Sequence, residues 1–223
     1  MSGPTDLPTT PAAAPTEASV PASRLLVTLA FGGAFAGLLI ATVYERTLPA
    51  IEKYADSRIE GAVNEVLGGP ARLETLYLSG DSLSKTPPAG VELRKVTKAY
   101  VGFNDQNQRV GVAVEASAPG FADEVKLMVG FDPATGVLTG FSVLAQKETP
   151  GLGDKIEKDA AFVQRFRGKS TPLKGTKSAT TDQGTVQTIT GATISARTVI
   201  QIINAAVALW QPRLAAFDKE GGQ

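Results

Sequence analysis

Twenty consecutive residues without a charge constrain this chain more than any other feature of its sequence. The segment LLVTLAFGGAFAGLLIATVY runs from Leu25 to Tyr44, with Arg24 before it and Glu45 after it. At ~1.5 Å per residue, a helix of this length spans about 30 Å, which matches the hydrocarbon core of a bilayer. We therefore predict a transmembrane helix over residues 24–45.

A cleaved signal peptide is the alternative interpretation of this apolar segment. The region before it, Met1 to Ser23, is rich in Pro, Ala, Thr and Ser and contains Asp6 and Glu17. A long N-terminal region with acidic residues and little positive charge is not typical of a signal peptide, so an anchor is favoured. The same region has no apolar periodicity, which predicts a disordered tail over residues 1–23.

A second helix is predicted directly after the membrane segment. Apolar residues between Leu48 and Leu67 recur every three or four positions, which is typical of an amphipathic helix. Gly68, Gly69 and Pro70 end that pattern. Residues 46–70 are therefore predicted to form a helical stalk.

Beyond residue 95 the apolar period changes from helical spacing to two, which indicates strands. Val96–Phe103 and Arg109–Ala116 flank a polar turn, and Glu124–Phe131 and Val137–Leu144 flank a turn that contains Pro and Gly. Short turns of this kind join antiparallel neighbours. The pattern predicts two hairpins in an antiparallel sheet.

The remainder of the domain, which we place at residues 71–223, is expected to be mainly loops and helices. Ala71–Glu92 shows no clear pattern, Lys155–Phe166 is predicted as a helix, and Gly168–Gly184 is predicted as a polar loop. Ile194–Phe217 has a helical apolar face. The order of helix, sheet and helices predicts an α+β fold.

Two absent residue types limit the chemistry of the chain. It has no cysteine, which excludes disulfides, thiolate metal sites and iron–sulfur ligation by protein sulfur. It has no histidine either, so a Ser-His-Asp site and a histidine-based zinc site are excluded. Redox chemistry in this chain therefore requires a bound organic cofactor. The equal numbers of acidic and basic residues give no indication of a nucleic-acid partner.

The loop before the last helix, Thr188–Ser195, contains four hydroxyl side chains in eight residues. Thr190 has the side chain of a helix N-cap, and Gly191 allows close approach to the backbone. The N-terminal end of the helix would face Thr193, where a phosphate group is stabilised. Simple helix capping is the other interpretation of the same loop.

The loop Glu148–Lys155 has one proline and two glycines, which give a stiff turn with exposed backbone amides. Leu152, between the glycines, could lie against the face of a flat ring. An ordinary connection between a strand and a helix is the other interpretation, and these residues taken alone favour it.

The two strings KETPGLGDKI and TGATIS, taken together, resemble the paired signatures of FMN-binding domains in the Rnf electron-transport complex, specifically in its G subunit. The C subunit of the sodium-pumping NADH:quinone oxidoreductase is a related family. The resemblance covers most of the chain: one N-terminal span, a stalk, two hairpins, the ETPGLG loop and the last helix. The GDKI continuation and the modest length are more similar to Rnf.

The resemblance implies a covalent FMN, linked by its phosphate to Thr193. A separate flavin transferase, using FAD as donor, would recognise the surrounding residues Thr190, Gly191, Ala192 and Ser195. The ETPGLG loop would lie beside the isoalloxazine ring, and the residues carried over in that role are Glu148, Thr149, Leu152 and Gly153. No catalytic residue and no metal ligand are implied.

The resemblance also implies a function and a location. The chain would relay electrons in an ion-translocating ferredoxin:NAD oxidoreductase, a translocase complex whose other subunits include a second one that carries flavin. It would be a single-pass protein of the bacterial inner membrane with its flavin domain in the periplasm.

Two departures from the family pattern leave other functions open. Gln146 stands where family members often have His, and Gln187 stands where they often have Asp. The first bears on contacts to the ring and the second on recognition by the transferase. The alternatives are a redox-inactive scaffold subunit of the same type of complex and a periplasmic module that binds phosphate or nucleotide reversibly.

Overall fold

The structure is a computed structural model that describes residues 21–88, 90–93 and 96–221. The predicted tail therefore lies outside the described residues, apart from positions 21–23, where a helix already begins at Ala22. The chain forms two compact units, of which the first ends at Glu52 and the second begins at Lys53.

The N-terminal helix α1 covers Ala22–Leu67, so the predicted span and the predicted stalk are one continuous helix. Its most apolar window has a mean hydropathy of 2.1 and none of that window is buried within the protein, which suits a segment that is solvated by lipid. Helix α4, Thr193–Lys219, is also long and apolar enough to cross a membrane, but 56% of its window is buried in the domain. We therefore assign α4 to the core.

The second unit is built on a six-stranded antiparallel sheet with the order β2-β1-β3-β4-β5-β6. Its strands are β1 Arg72–Ser79, β2 Ser82–Ser84, β3 Lys98–Phe103, β4 Arg109–Pro119, β5 Glu124–Phe131 and β6 Leu138–Ala145. Both predicted hairpins are confirmed, as β3–β4 and β5–β6. Because β4 also pairs with β5, the two hairpins form one meander. With helices on this sheet, the α+β class is confirmed.

Two regions contain short strands that the sequence did not predict. Strands β1 and β2 lie in Ala71–Glu92, where no strand was predicted; in β1 only Leu76 is fully buried, so the alternation of apolar residues is weak. Within the predicted polar loop, β7 (Lys174–Thr176) pairs in parallel with β8 (Thr185–Gln187).

The helix predicted over Lys155–Phe166 is in fact two short helices, α2 Lys155–Lys158 and α3 Ala160–Gln164. Asp159 separates them with an extended backbone, φ −85° and ψ 94°. Its carboxylate accepts a hydrogen bond from the backbone N–H of Phe162 at 3.2 Å. Asp159 therefore caps α3, and because an N-cap needs non-helical dihedrals, a continuous helix is excluded there.

The main core lies between the sheet and α4. Trp210 is 1% exposed, and the aromatic rings of Phe141, Phe162 and Phe166 meet edge to face, with centroids 4.8 Å apart for Phe141 and Phe166. Edge-to-face packing suits the charge distribution of aromatic rings and adds ~0.5–1.5 kcal/mol per pair beyond the buried area. Helix α4 packs directly on β4 and β5 in this core, which holds the loop before α4 in place.

The other face of the sheet is covered by the end of α1. Val63 and Val66 are each 1% exposed, and they pack with Ala113 and Met128 of the sheet. A side chain at Gly130 would come within 3.0 Å of Val66, which explains glycine at that position. The last turns of the predicted stalk therefore form part of the domain core rather than a free spacer.

Tyr100, on β3 beside this second core, should make the stability of the fold depend on pH in the alkaline range. Burial, reinforced by the charge of Glu115, raises the pKa of Tyr100 to about 12. The folded chain therefore favours the neutral phenol of Tyr100. The stability that Tyr100 contributes to the fold is complete below pH ~10, the usual tyrosine pKa, and is lost as the pH rises from there toward 12. A spectroscopic titration at 295 nm should show one late tyrosinate step that is missing in Tyr100→Phe. A late step that persists in that variant would contradict the assignment.

Candidate functional site

The two loops singled out in the sequence come together at one cavity of about 340 Å3. Its lining consists of Phe121, Glu148, Thr149, Leu152, Gly153, Gly191, Ala192, Thr193, Ile194 and Ser195. Eight of the nine predicted cofactor-binding residues are in this set. The ninth, Thr190, is exposed and lines a separate cavity with Lys155 and Arg165.

The loop after β6 is a tight turn organised around one carbonyl group. The carbonyl oxygen of Thr149 accepts hydrogen bonds from the N–H groups of Leu152 at 3.2 Å and Gly153 at 3.0 Å. Gly151 has φ +76°, a conformation that residues with a side chain rarely adopt. The turn therefore presents Leu152, which is 48% exposed, at the mouth of the cavity.

Gly153 is the point of closest approach between the two loops. A Cβ atom there would lie 2.8 Å from Glu148 Cβ and 2.9 Å from Ser195 Oγ, both shorter than normal contacts. Neither neighbour has room to move, since Glu148 is 4% exposed and Ser195 is 2% exposed. Only glycine lets the two loops meet at this distance.

Replacing Gly153 by alanine should therefore push the loops apart. We expect a loss of ~1–3 kcal/mol in the free energy of unfolding, the usual cost of overpacking. Gly61→Ala is the matched control, because a Cβ there meets nothing within 4 Å and alanine is favoured in a helix. Denaturation of both variants, followed by circular dichroism, measures the difference. Equal stability of Gly153→Ala and the wild type would contradict this close approach.

The loop before α4 corrects one sequence prediction. Thr190 was predicted as the N-cap, but the N-cap residue is Ala192, and α4 begins at Thr193. The N–H of Ala192 donates to the Ile189 carbonyl at 3.1 Å, which closes a turn that places Thr190 outside the helix. The prediction was wrong because Thr193, also a hydroxyl residue, takes the first helical position.

Thr193 occupies a favourable position for an anionic group. It is half-buried at the N-terminus of a 27-residue helix, and no side chain in the described part of the chain caps that terminus. The first N–H groups of a helix lack partners within the helix, and they carry roughly half a positive charge. A phosphate bonded to Thr193 would be stabilised by both effects.

Glu148 links the parts of the site. Its Oε1 accepts hydrogen bonds from the backbone N–H groups of Phe121 at 2.9 Å and Ala122 at 3.1 Å, in the turn between β4 and β5. Its Oε2 accepts one from the Ser195 hydroxyl in the first turn of α4. One buried carboxylate therefore joins three segments that are far apart in sequence.

Two ion pairs flank this arrangement, and the aspartate of the second, Asp154, is buried. Lys147 Nζ lies 2.8 Å from Asp123 Oδ2, and Lys158 Nζ lies 2.7 Å from Asp154 Oδ2. These hydrogen bonds lower the pKa of both aspartates and raise the pKa of both lysines. All four groups therefore stay charged at neutral pH, and none of them supplies a neutral base.

Two residues of the cavity were missed in the sequence. Phe121 is 65% exposed and Ile194 is 55% exposed, and together with Leu152 they give the opening an apolar rim. Phe121 could have been found, because a turn between two strands lies at the surface, where a large aromatic residue is unusual. Ile194 lies within the TGATIS string, but its exposure depends on where the helix begins.

The two departures from the family pattern lie outside the cavity. Gln146 Oε1 accepts a hydrogen bond from the backbone N–H of Glu148 at 2.7 Å, and its Nε2 donates to Glu157 at 3.1 Å. Gln187, at the end of β8, donates to the Lys177 carbonyl at 3.3 Å. Neither side chain lines the cavity, so Gln146 supports the loop rather than contacting a ring directly.

The chemistry of this cavity fits the FMN that the resemblance implies. An apolar rim suits the face of a flat aromatic ring, and the backbone of the 149–153 loop provides polar groups beside it. The uncapped helix terminus and the Thr193 hydroxyl suit a phosphate. Gly191, with φ +84°, leaves the backbone open next to Leu152.

Comparisons with known proteins agree with this description. Residues 120–208 match the FMN-binding domain family. The G subunit of the ion-translocating oxidoreductase complex from Pseudomonas aeruginosa (strain UCBPP-PA14) is 33% identical over 198 residues, which cover 82% of this chain and 91% of that protein. Its counterpart of the same name in Aliivibrio fischeri (strain MJ11) is 40% identical over 101 residues, or 44% of this chain and 48% of that protein. The crystal structure of Shewanella oneidensis NqrC shares the fold, with a TM-score of 0.62, 16% identity, and coverage of 74% of this chain and 99% of that chain.

Proposed function

Since this chain belongs to the Rnf family formed by the G subunits of ion-translocating oxidoreductase complexes, we propose that it relays electrons through an FMN esterified to Thr193. Membership of the family makes the chain an FMN flavoprotein component of electron transport, with an apolar helix at its N-terminus. The covalent bond, the role of each site residue and the identity of the partners are our proposal.

The observation that carries the proposal is the meeting of two distant loops at Thr193. The cavity combines a hydroxyl, an uncapped helix terminus and an apolar rim within about 340 Å3. An ordinary helix cap does not explain this combination, because Thr193 does not cap α4 and Leu152 is left exposed.

Each part of the site has a role in this proposal. The Thr193 hydroxyl carries the phosphoester, and the N-terminus of α4 stabilises the phosphate charge. Leu152, Phe121 and Ile194 exclude water from one side of the ring, while the N–H and C=O groups of the 149–153 loop hold its polar edge. Bound FMN supplies one- and two-electron chemistry that no side chain in this chain can perform.

The cavity gives the Thr193 hydroxyl no histidine or lysine base, because none of the described residues that line it is of either type. The chain contains no histidine at all, and Lys147 and Lys158, beside the two loops, are held in ion pairs, so neither lysine is a neutral base ready to deprotonate Thr193. We therefore propose that a flavin transferase attaches FMN, with FAD as donor, and that Thr190, Gly191, Ala192 and Ser195 form its recognition motif. The exposed position of Thr190 supports such recognition.

We further propose the setting of the site. Residues 24–45 span the bacterial inner membrane once, residues 46–70 form the stalk, whose last turns pack in the domain core, and residues 71–223 carry the flavin in the periplasm. The partners are the other subunits of a ferredoxin:NAD oxidoreductase complex, including a second subunit with flavin. The apolar rim supports exchange of electrons with another protein, because its side chains are exposed at the surface where a partner could contact them.

The intact mass of the chain from its native membrane tests the covalent bond. We expect an added mass that corresponds to esterified FMN, and a fluorescent band that remains after denaturing electrophoresis. A flavin that unfolding releases would indicate reversible binding instead, and a chain with no flavin, made beside a competent transferase, would indicate the scaffold alternative.

A further inference from the structure

We propose that Glu148 is a positioning residue, whose carboxylate holds the first turn of α4 so that the Thr193 hydroxyl faces the cavity. This inference rests on the function proposed above, because it concerns how the same hydroxyl is presented. It gives Glu148 a role different from the ring contact that the family resemblance implies.

Both oxygen atoms of the Glu148 carboxylate are already engaged by the protein. Oε1 accepts from the N–H groups of Phe121 and Ala122, and Oε2 accepts from the Ser195 hydroxyl. The side chain is buried, with 4% of the residue exposed. A buried carboxylate with donors on both oxygens stabilises the arrangement of those donors, because breaking any of these bonds leaves charge without a partner.

The bond to Ser195 controls the orientation of Thr193. Both residues lie in the first turn of α4, where each residue is rotated by about 100° from the one before it. A hydrogen bond to a carboxylate is stronger than one between neutral groups, and this one is shielded from water. Fixing Ser195 therefore fixes the direction in which the Thr193 side chain points.

The side chain of Gln146 holds the backbone of Glu148 in place. The Gln146 amide accepts a hydrogen bond from the Glu148 N–H at 2.7 Å and donates to Glu157 of α2 at 3.1 Å. Glycines stand on both sides of the carboxylate, since a Cβ at Gly120 would collide with Oε1 and a Cβ at Gly153 would lie 2.8 Å from Oε2. The carboxylate therefore lies directly against the backbone at both glycines.

The test measures how fast the full-length chain in membranes acquires covalent flavin from FAD and a flavin transferase. Glu148→Ala should lower that rate by roughly 100-fold, the effect of a misplaced reacting group. Glu148→Gln should restore the rate to within about tenfold of wild type, because its amide can accept from Phe121 and Ala122 and donate to Ser195. Asp123→Ala, which removes an exposed carboxylate from the same turn, should match the wild type.

Hydrogen exchange gives a second readout that needs no flavin. The N–H groups of Phe121 and Ala122 should exchange faster in Glu148→Ala than in the wild type, and at wild-type rates in Asp123→Ala. Wild-type flavin incorporation in Glu148→Ala would overturn the inference and leave the proposed function standing. A wild type that never takes up flavin would overturn the proposed function, and unchanged exchange at Phe121 and Ala122 would overturn the inference separately.

Ser195→Ala covers the case in which Glu148→Ala does not fold. It removes one donor and leaves the two backbone donors in place. We expect flavin incorporation to fall by about tenfold or more, in line with the loss of one hydrogen bond to a charged group. A wild-type rate in Ser195→Ala would overturn the inference.

Discussion

Replacement of Thr193 by alanine is expected to remove all covalent flavin from the chain while leaving the fold intact. The Thr193 hydroxyl makes no hydrogen bond to any of the residues that the structure describes, so its loss leaves no buried group without a partner. Alanine is also well tolerated in the first turn of a helix. The measurements are the intact mass and the fluorescent band on a denaturing gel, which should both revert to those of the bare chain.

Two further variants separate attachment from recognition. Thr193→Ser keeps a hydroxyl at the same position and should retain the flavin. Thr190→Ala removes an exposed hydroxyl outside the cavity and should slow attachment without preventing it. Flavin that remains bound to Thr193→Ala would show that another residue carries the ester, and it would remove the basis of the proposed relay.

Replacement of Trp210 by alanine should give the largest loss of stability. Trp210 is 1% exposed in the core between α4 and the sheet, and it is the only tryptophan in the chain. Deleting a buried Trp side chain costs ~3–5 kcal/mol, because the cavity that remains is only partly filled. For a domain of this size the midpoint of thermal unfolding should fall by roughly 6–20 °C. Circular dichroism must follow the transition, since the variant has no tryptophan fluorescence.

The neighbouring Leu209 provides the matched control. It lies on the same helix and is 41% exposed, so Leu209→Ala removes an apolar side chain without opening a buried cavity. We expect its stability to change by less than ~1 kcal/mol, as for most exposed positions. A similar loss in both variants would mean that α4 does not face the sheet as described.

The elements with strong periodic patterns could be predicted from the sequence. The uncharged segment from Leu25 to Tyr44 predicted the apolar helix, and strict alternation predicted both hairpins. Strand β1 could not be found in the same way, because only Leu76 is buried and the other residues are half-buried or exposed, so their alternation is weak. The break at Asp159 was missed because a capping residue between two short helices looks like one polar position in a longer helix.

The candidate site was predictable only by resemblance. Glu148 and Ser195 lie 47 residues apart in sequence, and no local pattern indicates that they form a hydrogen bond. Physical argument alone suggested a capped helix and a stiff turn as two unrelated features. The position of Phe121 depends on the pairing of β4 with β5, which brings a third segment to the same place.

The order of the elements along the chain has a consequence for synthesis. The meander from β3 to β6 pairs neighbours in sequence and is complete at Ala145, whereas α4 begins only at Thr193. Ribosomes add ~5–20 residues per second, so several seconds pass between the synthesis of the sheet and the synthesis of α4, which covers its apolar face. During that interval the growing chain exposes Phe131, Leu127 and Val129, and chaperone contact should be greatest just before the last helix emerges.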